Sequence, residues 1–238
     1  MSLVDRCGGS SNGGACEKCS VRLVSVCAAL DSTELRQLEA MAGHVSFAEK
    51  ATLFVQGDEA SSVYSITSGV ARLYKLLPDG RRQIVGFAMP GDFLGLAMRD
   101  RYGFSADAVT DVSACGFSRA AYAGFVDRHP SLLRRLHEFA THELTLAQDQ
   151  MTLLGRRTAE EKLASFLLSM RERWAKLGEP SVTVELPMSR QDIADFLGLT
   201  IETVSRTFTQ LAKRKLITLT PGGARLNDFN QLNALAAA

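Results

Sequence analysis

The 238-residue sequence has no run of about 18 consecutive apolar residues, the length a helix needs to cross a bilayer, so no membrane span is expected. Its N-terminus, MSLVDRCGGSSNGGAC, is polar and glycine-rich and lacks the apolar core of a signal peptide. A cytoplasmic protein is the expectation. A catalytic set is missing too. The four histidines (His44, His129, His137, His142) show neither nucleophile nor metal spacing, and no phosphate-binding glycine loop occurs. A non-enzymatic protein is therefore expected. Strong charge is also lacking, since the formal net charge is only +1. It is nonetheless uneven: from Arg156 onward twelve Lys/Arg face nine Asp/Glu, while the first 155 residues hold fifteen against seventeen. The C-terminal half carries a weak basic bias. With 46% hydrophobic and 22% charged residues, the chain has the composition of a globular protein, and its length suits two domains.

Cysteine is scarce and clustered. Of the five, Cys7, Cys16, Cys19 and Cys27 fall in the first 27 residues, and Cys115 stands alone. An odd count in a cytoplasmic chain argues against a disulfide framework and towards metal. Cys16, Cys19 and Cys27 follow a C-x2-C-x7-C spacing. A structural zinc site usually repeats the C-x2-C pair, and no second pair exists. The fourth ligand must then be remote, and Cys115 is the candidate. Four thiolates suit either tetrahedral zinc or an iron–sulfur cluster. Cys7 lies in a Gly/Ser tail, residues 1–15, and reads as a spare thiol.

The clearest motif is Leu186–Lys215, LPMSRQDIADFLGLTIETVSRTFTQLAKRK. Apolar residues recur at helical spacing twice: Ile193, Phe196, Leu197, then Val204, Phe208, Leu211. Gly198 suits the left-handed turn that ends the first helix. Ser189 caps that helix, with Asp192 in its first turn, and Thr200 caps the second. Two short helices joined by a glycine turn read as a helix-turn-helix, whose second helix enters the DNA major groove. On its polar face stand Glu202, Ser205 and Arg206. Glu accepts from cytosine N4, Arg grips guanine O6 and N7, and Ser serves either. Ser189, Arg190, Thr200 and Thr203 complete the candidate DNA contacts.

Between the cysteines and this motif the texture is first β-rich. After a helix opened by Asp31 or Ser32, short strand-like runs alternate with turns from Val45 to Phe117: Thr52–Val55, Val63–Thr67, Val70–Leu76, Gln83–Ala88, Ala106–Thr110 and Ala114–Ser118. Pro78-Asp79-Gly80 is a hairpin turn. The spacing predicts a jelly-roll barrel. Ser118 then caps a helix to about Arg128. Pro130 opens a long helix to about Leu154, with a break at Gly155. One of its stripes carries Leu133, His137, Ala140, Leu144, Ala147, Met151 and Leu154. The other carries Leu132, Leu136, Phe139, Glu143, Leu146, Gln150 and Leu153. Two stripes imply two partners: the barrel on one side and a second copy on the other. Ala140, Leu144, Ala147, Met151 and Leu154 are the candidate dimer contacts. A helix over Thr158–Leu177 follows, ended by Gly178-Glu-Pro180, then a strand over Val182–Leu186. A wing hairpin closes the domain around Pro221-Gly-Gly223. The expected fold is α+β: residues 1–29 a cysteine-rich segment, 30–129 the jelly roll, 130–156 a dimerisation helix, and 157–238 a winged helix-turn-helix.

This order of parts resembles the CRP/FNR family of bacterial transcription regulators, over about residues 16–230. The resemblance is carried by LFVQGDEASSVYSITSGVARLY, GRRQIVGF and MPGDFLGL in the barrel. At the other end it is carried by TAEEKLASFL and MSRQDIADFLGLTIETVSRTFTQL. Cyclic-AMP binders of the family carry an Arg-Ser or Arg-Thr pair after a Gly-Glu segment. Here the Glu is absent and Phe104 stands in place of the arginine, so no cyclic nucleotide is expected. The cysteines resemble the oxygen-responsive FNR branch, in which three N-terminal cysteines and one in the barrel hold a 4Fe-4S cluster. That resemblance implies Cys16, Cys19, Cys27 and Cys115 as ligands. It implies a homodimer on a TTGAT-N4-ATCAA-like palindrome, with Glu202 and Arg206 on the G·C pair and Ser205 near a thymine. It also implies RNA polymerase as a partner, through hairpins such as Leu77–Gln83. The alternative is a family member whose cysteines hold zinc or act as a thiol switch, with another effector.

Overall fold

The computed structural model describes residues 5–6, 14, 16–95, 100–178 and 181–237. Cys7, Leu96 of the MPGDFLGL run and Glu179-Pro180 lie outside them. The chain divides into two compact units: residues 1–75 with 86–143, and residues 76–85 with 144–238.

The first unit opens with two 3-10 turns, Arg22–Val24 and Val26–Ala29, and helix α1 (Ser32–Met41). Asp31, not Ser32, caps α1: it accepts from the amides of Thr33 and Glu34, and Glu34 returns a bond to the Asp31 amide. The strands are β1 (Asp5–Arg6), β2 (Gly43–Phe47), β3 (Thr52–Phe54), β4 (Ser62–Ser68), β5 (Ala71–Leu76), β6 (Arg82–Ala88), β7 (Phe93–Leu94), β8 (Ser105–Ala108) and β9 (Val112–Ser118). They form two sheets, ordered β1-β2-β9-β4-β7 and β3-β8-β5-β6. Most strand-like runs in the sequence end within a residue or two of these bounds. β1, β2 and β7 were not foreseen as strands; β1 lies in the stretch read as a tail and pairs antiparallel with β2, and β1 and β7, at two residues each, are too short to show alternation.

Strand β9 explains how the unit is layered. It pairs antiparallel with β2 on one side and β4 on the other, so Cys115 stands between His44 and Ser65. Successive side chains on a strand face opposite ways. Val112 and Ala114 face one core with Leu53, Phe54, Ile66 and Ala106. Cys115 and Phe117 face a second core. That core is formed by Val26, Leu30, Leu35, Leu38, Tyr122, Phe125, Leu132 and Leu136. It holds the N-terminal turns, α1, α2 (Arg119–Arg128) and the start of α3 (Pro130–Arg156) together.

Two expectations on helix ends need correction. Ser118 precedes α2 but makes no side-chain cap bond. It is still paired to Ser62 as the last residue of β9, so the sheet dictates its conformation. And α3 continues through Gly155 to Arg156. One glycine costs a helix only about 1 kcal/mol, too little to break it.

The second unit contains α4 (Ala159–Ala175), α5 (Arg190–Leu197), α6 (Ile201–Lys213) and α7 (Phe229–Ala237). β10 (Thr183–Glu185), β11 (Ile217–Thr220) and β12 (Gly223–Leu226) form a sheet ordered β10-β12-β11. Thr158 caps α4 in a capping box with Glu161. Leu163, Phe166, Leu167 and Met170 of α4 are buried, as are Ile193 and Leu197 of α5 and Val204, Phe208 and Leu211 of α6. Among the described residues no helix is long and apolar enough to cross a membrane.

Candidate nucleic-acid interface and thiol centre

Local rules build the helix pair. The Ser189 hydroxyl accepts from the Asp192 amide at 3.0 Å and donates to the Asp192 carboxylate at 2.7 Å. Asp192 is itself buried and also bonds the Ser189 amide. Gly198 ends α5 at φ +62°, ψ +40°, the left-handed conformation that glycine adopts without strain. Thr200 then caps α6 by accepting from the Thr203 amide at 3.2 Å.

Glu202, Ser205 and Arg206 are all exposed on α6. The Glu202 carboxyl is held below its usual range, first by its own backbone amide at the helix N-terminus, then by Thr200 and Arg206. It is therefore an ionised acceptor at neutral pH. Arg206 leans its guanidinium on the Thr203 hydroxyl at 3.4 Å. Thr200 is exposed and Thr203 half-buried. Arg190 differs from these: its guanidinium lies 3.3 Å from the centre of the Phe208 ring and is half-buried, so it joins α5 to α6. The Ser189 hydroxyl is likewise engaged in its cap.

Two positioning groups escaped sequence reasoning. Lys162, only 6% exposed, donates to the carbonyls of Leu154 and Leu197 at 3.2 and 3.3 Å. One ammonium thus serves carbonyls at the C-terminal ends of α3 and α5, where helix ends leave acceptors unsatisfied. A lysine inside the apolar stripe of α4 was the available signal. Arg82 bonds Asp192 and Asp195 of α5, each at 2.9 Å.

Along α3 the two stripes part company. Leu132 and Leu136 are buried in the second core, whereas Leu133, Leu144 and Met151 are 55%, 58% and 65% exposed. Ala140 and Ala147 are exposed with them. Leu154 does not belong to this open stripe: it is half-buried, and its Cδ2 would lie 3.1 Å from a Cβ placed on Gly198 of the same chain.

The cysteines converge. Cys16, Cys27 and Cys115 all pack against the second core. Cys27 opens onto it from the 3-10 turn Val26–Ala29, its amide held by the Ser25 hydroxyl at 3.2 Å. Cys19 follows Cys16 in a turn, Cys19 N–H to Cys16 carbonyl at 3.4 Å. Among the described residues none of the four is in a disulfide. The Cys16 thiol is pushed up to about 12, chiefly by burial, then by Glu39 and by Cys115, Cys27 and Cys19. Burial also raises Cys27, opposed by Ser25 and by Arg22. These thiols are neutral at physiological pH, and a metal must displace their protons.

Whether the residues fit a metal group is testable on the donors themselves. Two buried polar atoms in this part of the chain, Tyr122 Oη in the same core and Arg22 Nε of the preceding 3-10 turn, have no hydrogen-bond partner. Orphaned donors around converging thiols suit a group rich in sulfur acceptors. Among the described residues no three His, Cys, Asp or Glu side chains gather tightly enough to hold a single metal ion.

The barrel interior is filled with aromatic rings. Phe54 stacks on Tyr102 at 4.2 Å, and the Phe104 ring lies 5.7 Å from that of Phe54.

Comparison with known proteins matches this architecture. The family model for the cyclic nucleotide-binding domain covers residues 44–129, and that for the Crp-like helix-turn-helix domain covers residues 161–235. The chain is 55% identical to the transcriptional activatory protein AadR of Rhodopseudomonas palustris, over 95% of each chain. It is 53% identical to the nitrogen fixation regulation protein FixK of Bradyrhizobium diazoefficiens, over 95% of this chain and 96% of that one. The crystal structure of FixK2 from Bradyrhizobium japonicum superposes with a TM-score of 0.77 at 36% identity, covering 83% of this chain and 98% of the other.

Proposed function

The chain belongs to the CRP/FNR family of DNA-binding transcription regulators, and from that premise we propose that it is an oxygen-responsive activator, dimeric on DNA, governed by a 4Fe-4S cluster on Cys16, Cys19, Cys27 and Cys115. The observation that carries the reading is that the thiols share one core with the start of the long helix. Cys16, Cys27 and Cys115 pack against the same cluster as Leu132, Leu136 and Phe139 of α3. Ligation ties the N-terminal turns to β9. That tie orders Val26 and Leu30, which belong to the same core as Leu132 and Leu136. The same helix carries the open stripe of Leu133, Ala140, Leu144, Ala147 and Met151, a seam for a second copy. When bound, the cluster supplies iron–thiolate ties that oxygen destroys. Losing the tie biases α3 away from its paired state, a shift between two populations.

Pairing matters because a palindrome requires two recognition helices about one DNA turn apart. Glu202, Ser205 and Arg206 read each TTGAT half-site, with Arg206 on the guanine and Glu202 on its cytosine. Cyclic nucleotide has no role in this reading, because Phe104 offers no guanidinium to a phosphate. The test is fluorescence anisotropy on a TTGAT-N4-ATCAA duplex with protein purified without air. Tight binding that falls on exposure to air supports the proposal; equal binding before and after air contradicts it.

A further inference from the structure

Tyr122 is the one buried tyrosine in an otherwise apolar aromatic group. Its ring lies 5.0 Å from that of Phe93 and 5.3 Å from that of Phe117. Phe125 shares the same core. A phenylalanine would fill this space at no cost. Instead a hydroxyl is carried inside: Tyr122 is 2% exposed, and its Oη has no hydrogen-bond partner. A buried hydroxyl without a partner costs a few kcal/mol. Burial raises the phenol, and the charge that raises it further is that of Cys27. Cys27, one candidate ligand, packs against the same core that holds Tyr122. A thiol sulfur is a poor acceptor. A ligating sulfur is a thiolate and accepts well.

We propose that Tyr122 is a positioning residue whose hydroxyl donates a hydrogen bond to the Cys27 sulfur when that sulfur is a cluster ligand. The inference rests on the cluster reading above. Hydrogen bonds to cluster sulfurs stabilise the more negative, reduced state and so raise the reduction potential. Tyr122 thus makes the cluster harder to oxidise and sets how much oxygen is needed to destroy it. In the metal-free chain the same hydroxyl is an uncompensated burden.

The experiment compares wild type with Tyr122→Phe, both metal-free and with iron and sulfide reconstituted without air. Metal-free, Tyr122→Phe melts at the same temperature as wild type or higher. Loaded to the same iron content, it bleaches in air several-fold faster. Its midpoint for one-electron oxidation falls by about a tenfold change in equilibrium, or about 59 mV. Tyr122→Leu, which removes the ring as well, lowers the metal-free melting temperature and so reads the packing contribution alone. Equal bleaching and equal midpoints in wild type and Tyr122→Phe overturn the inference and leave the cluster reading standing. So does a lower metal-free melting temperature for Tyr122→Phe, since the hydroxyl would then already be bonded. A wild type that takes up no cluster overturns both.

Discussion

The recognition helices and the thiol centre are positioned by different means. In the helix pair each functional side chain is placed by residues two to four positions away: Ser189 with Asp192, Gly198 at its turn, Thr200 with Thr203. The thiol centre is only partly local. Cys27 is placed by the Ser25 cap two residues before it, and Cys16 and Cys19 share a turn through one backbone bond at 3.4 Å. Their companion Cys115 arrives from the middle strand of a sheet, placed by its register against His44 and Ser65. The helix pair is set by its own caps and turn, with Lys162 and Arg82 bonding α5 from outside it. In the thiol centre the cysteines are half-buried, and burial favours the neutral thiol at Cys16 and Cys27.

Substitutions that strike one region and spare the other sharpen that contrast. The largest effect is expected from Cys115→Ser. It should abolish iron retention on anaerobic reconstitution while the far-UV circular dichroism of the helices is unchanged. Next, Arg206→Ala should cost about 1–3 kcal/mol, roughly 5- to 150-fold in affinity, at a duplex with the half-site guanine, and should relax preference there. An equal loss on every duplex would make Arg206 a phosphate contact. Iron content should not change. Gly198→Ala should cost about 1–2 kcal/mol of stability in urea unfolding, because alanine must adopt the left-handed conformation. Its Cβ must also displace the Leu154 methyl group, 3.1 Å away. A further effect concerns pH. The Cys16 thiol rises from 9.0 to about 12 in the folded chain, so the neutral form is favoured by folding. That contribution is complete below pH 9 and is lost as pH rises from about 9 towards 12. Metal-free protein should therefore lose stability over that window, and Cys16→Ser should flatten the slope in unfolding curves.

The same contrast explains how much was legible in the sequence. Ser189, Asp192, Gly198 and Thr200 could be read directly, because caps and glycine turns are written in adjacent residues. The long helix was legible from its spacing, but only packing separates Leu132 and Leu136, which are buried, from Leu133, which is not. Leu154 looked like part of the open stripe and instead rests beside Gly198 of its own chain. Arg190 had the side chain of a DNA contact, yet it stacks on Phe208. Lys162 and Tyr122 were invisible for a different reason. Each is a polar residue on an apolar stripe, and what it serves is remote in sequence: carbonyls of Leu154 and Leu197 for one, the surroundings of Cys27 for the other. Pattern reading sees the stripe and not the partner. The cysteine set itself was nominated by spacing and resemblance. That Cys115 faces the helical core follows from strand alternation along β9, once the residue that begins the alternation is known.

The central claim is that the four cysteines together hold an oxygen-labile iron–sulfur cluster. The most direct measurement is the visible absorption spectrum of protein purified without air, taken with iron and acid-labile sulfide analysis and repeated after exposure to air. The account predicts a brown protein with about four irons and four sulfides per chain, the content of a 4Fe-4S cluster, and a colour that bleaches in air. A colourless protein holding one tightly bound zinc per chain, or no metal at all, would contradict it.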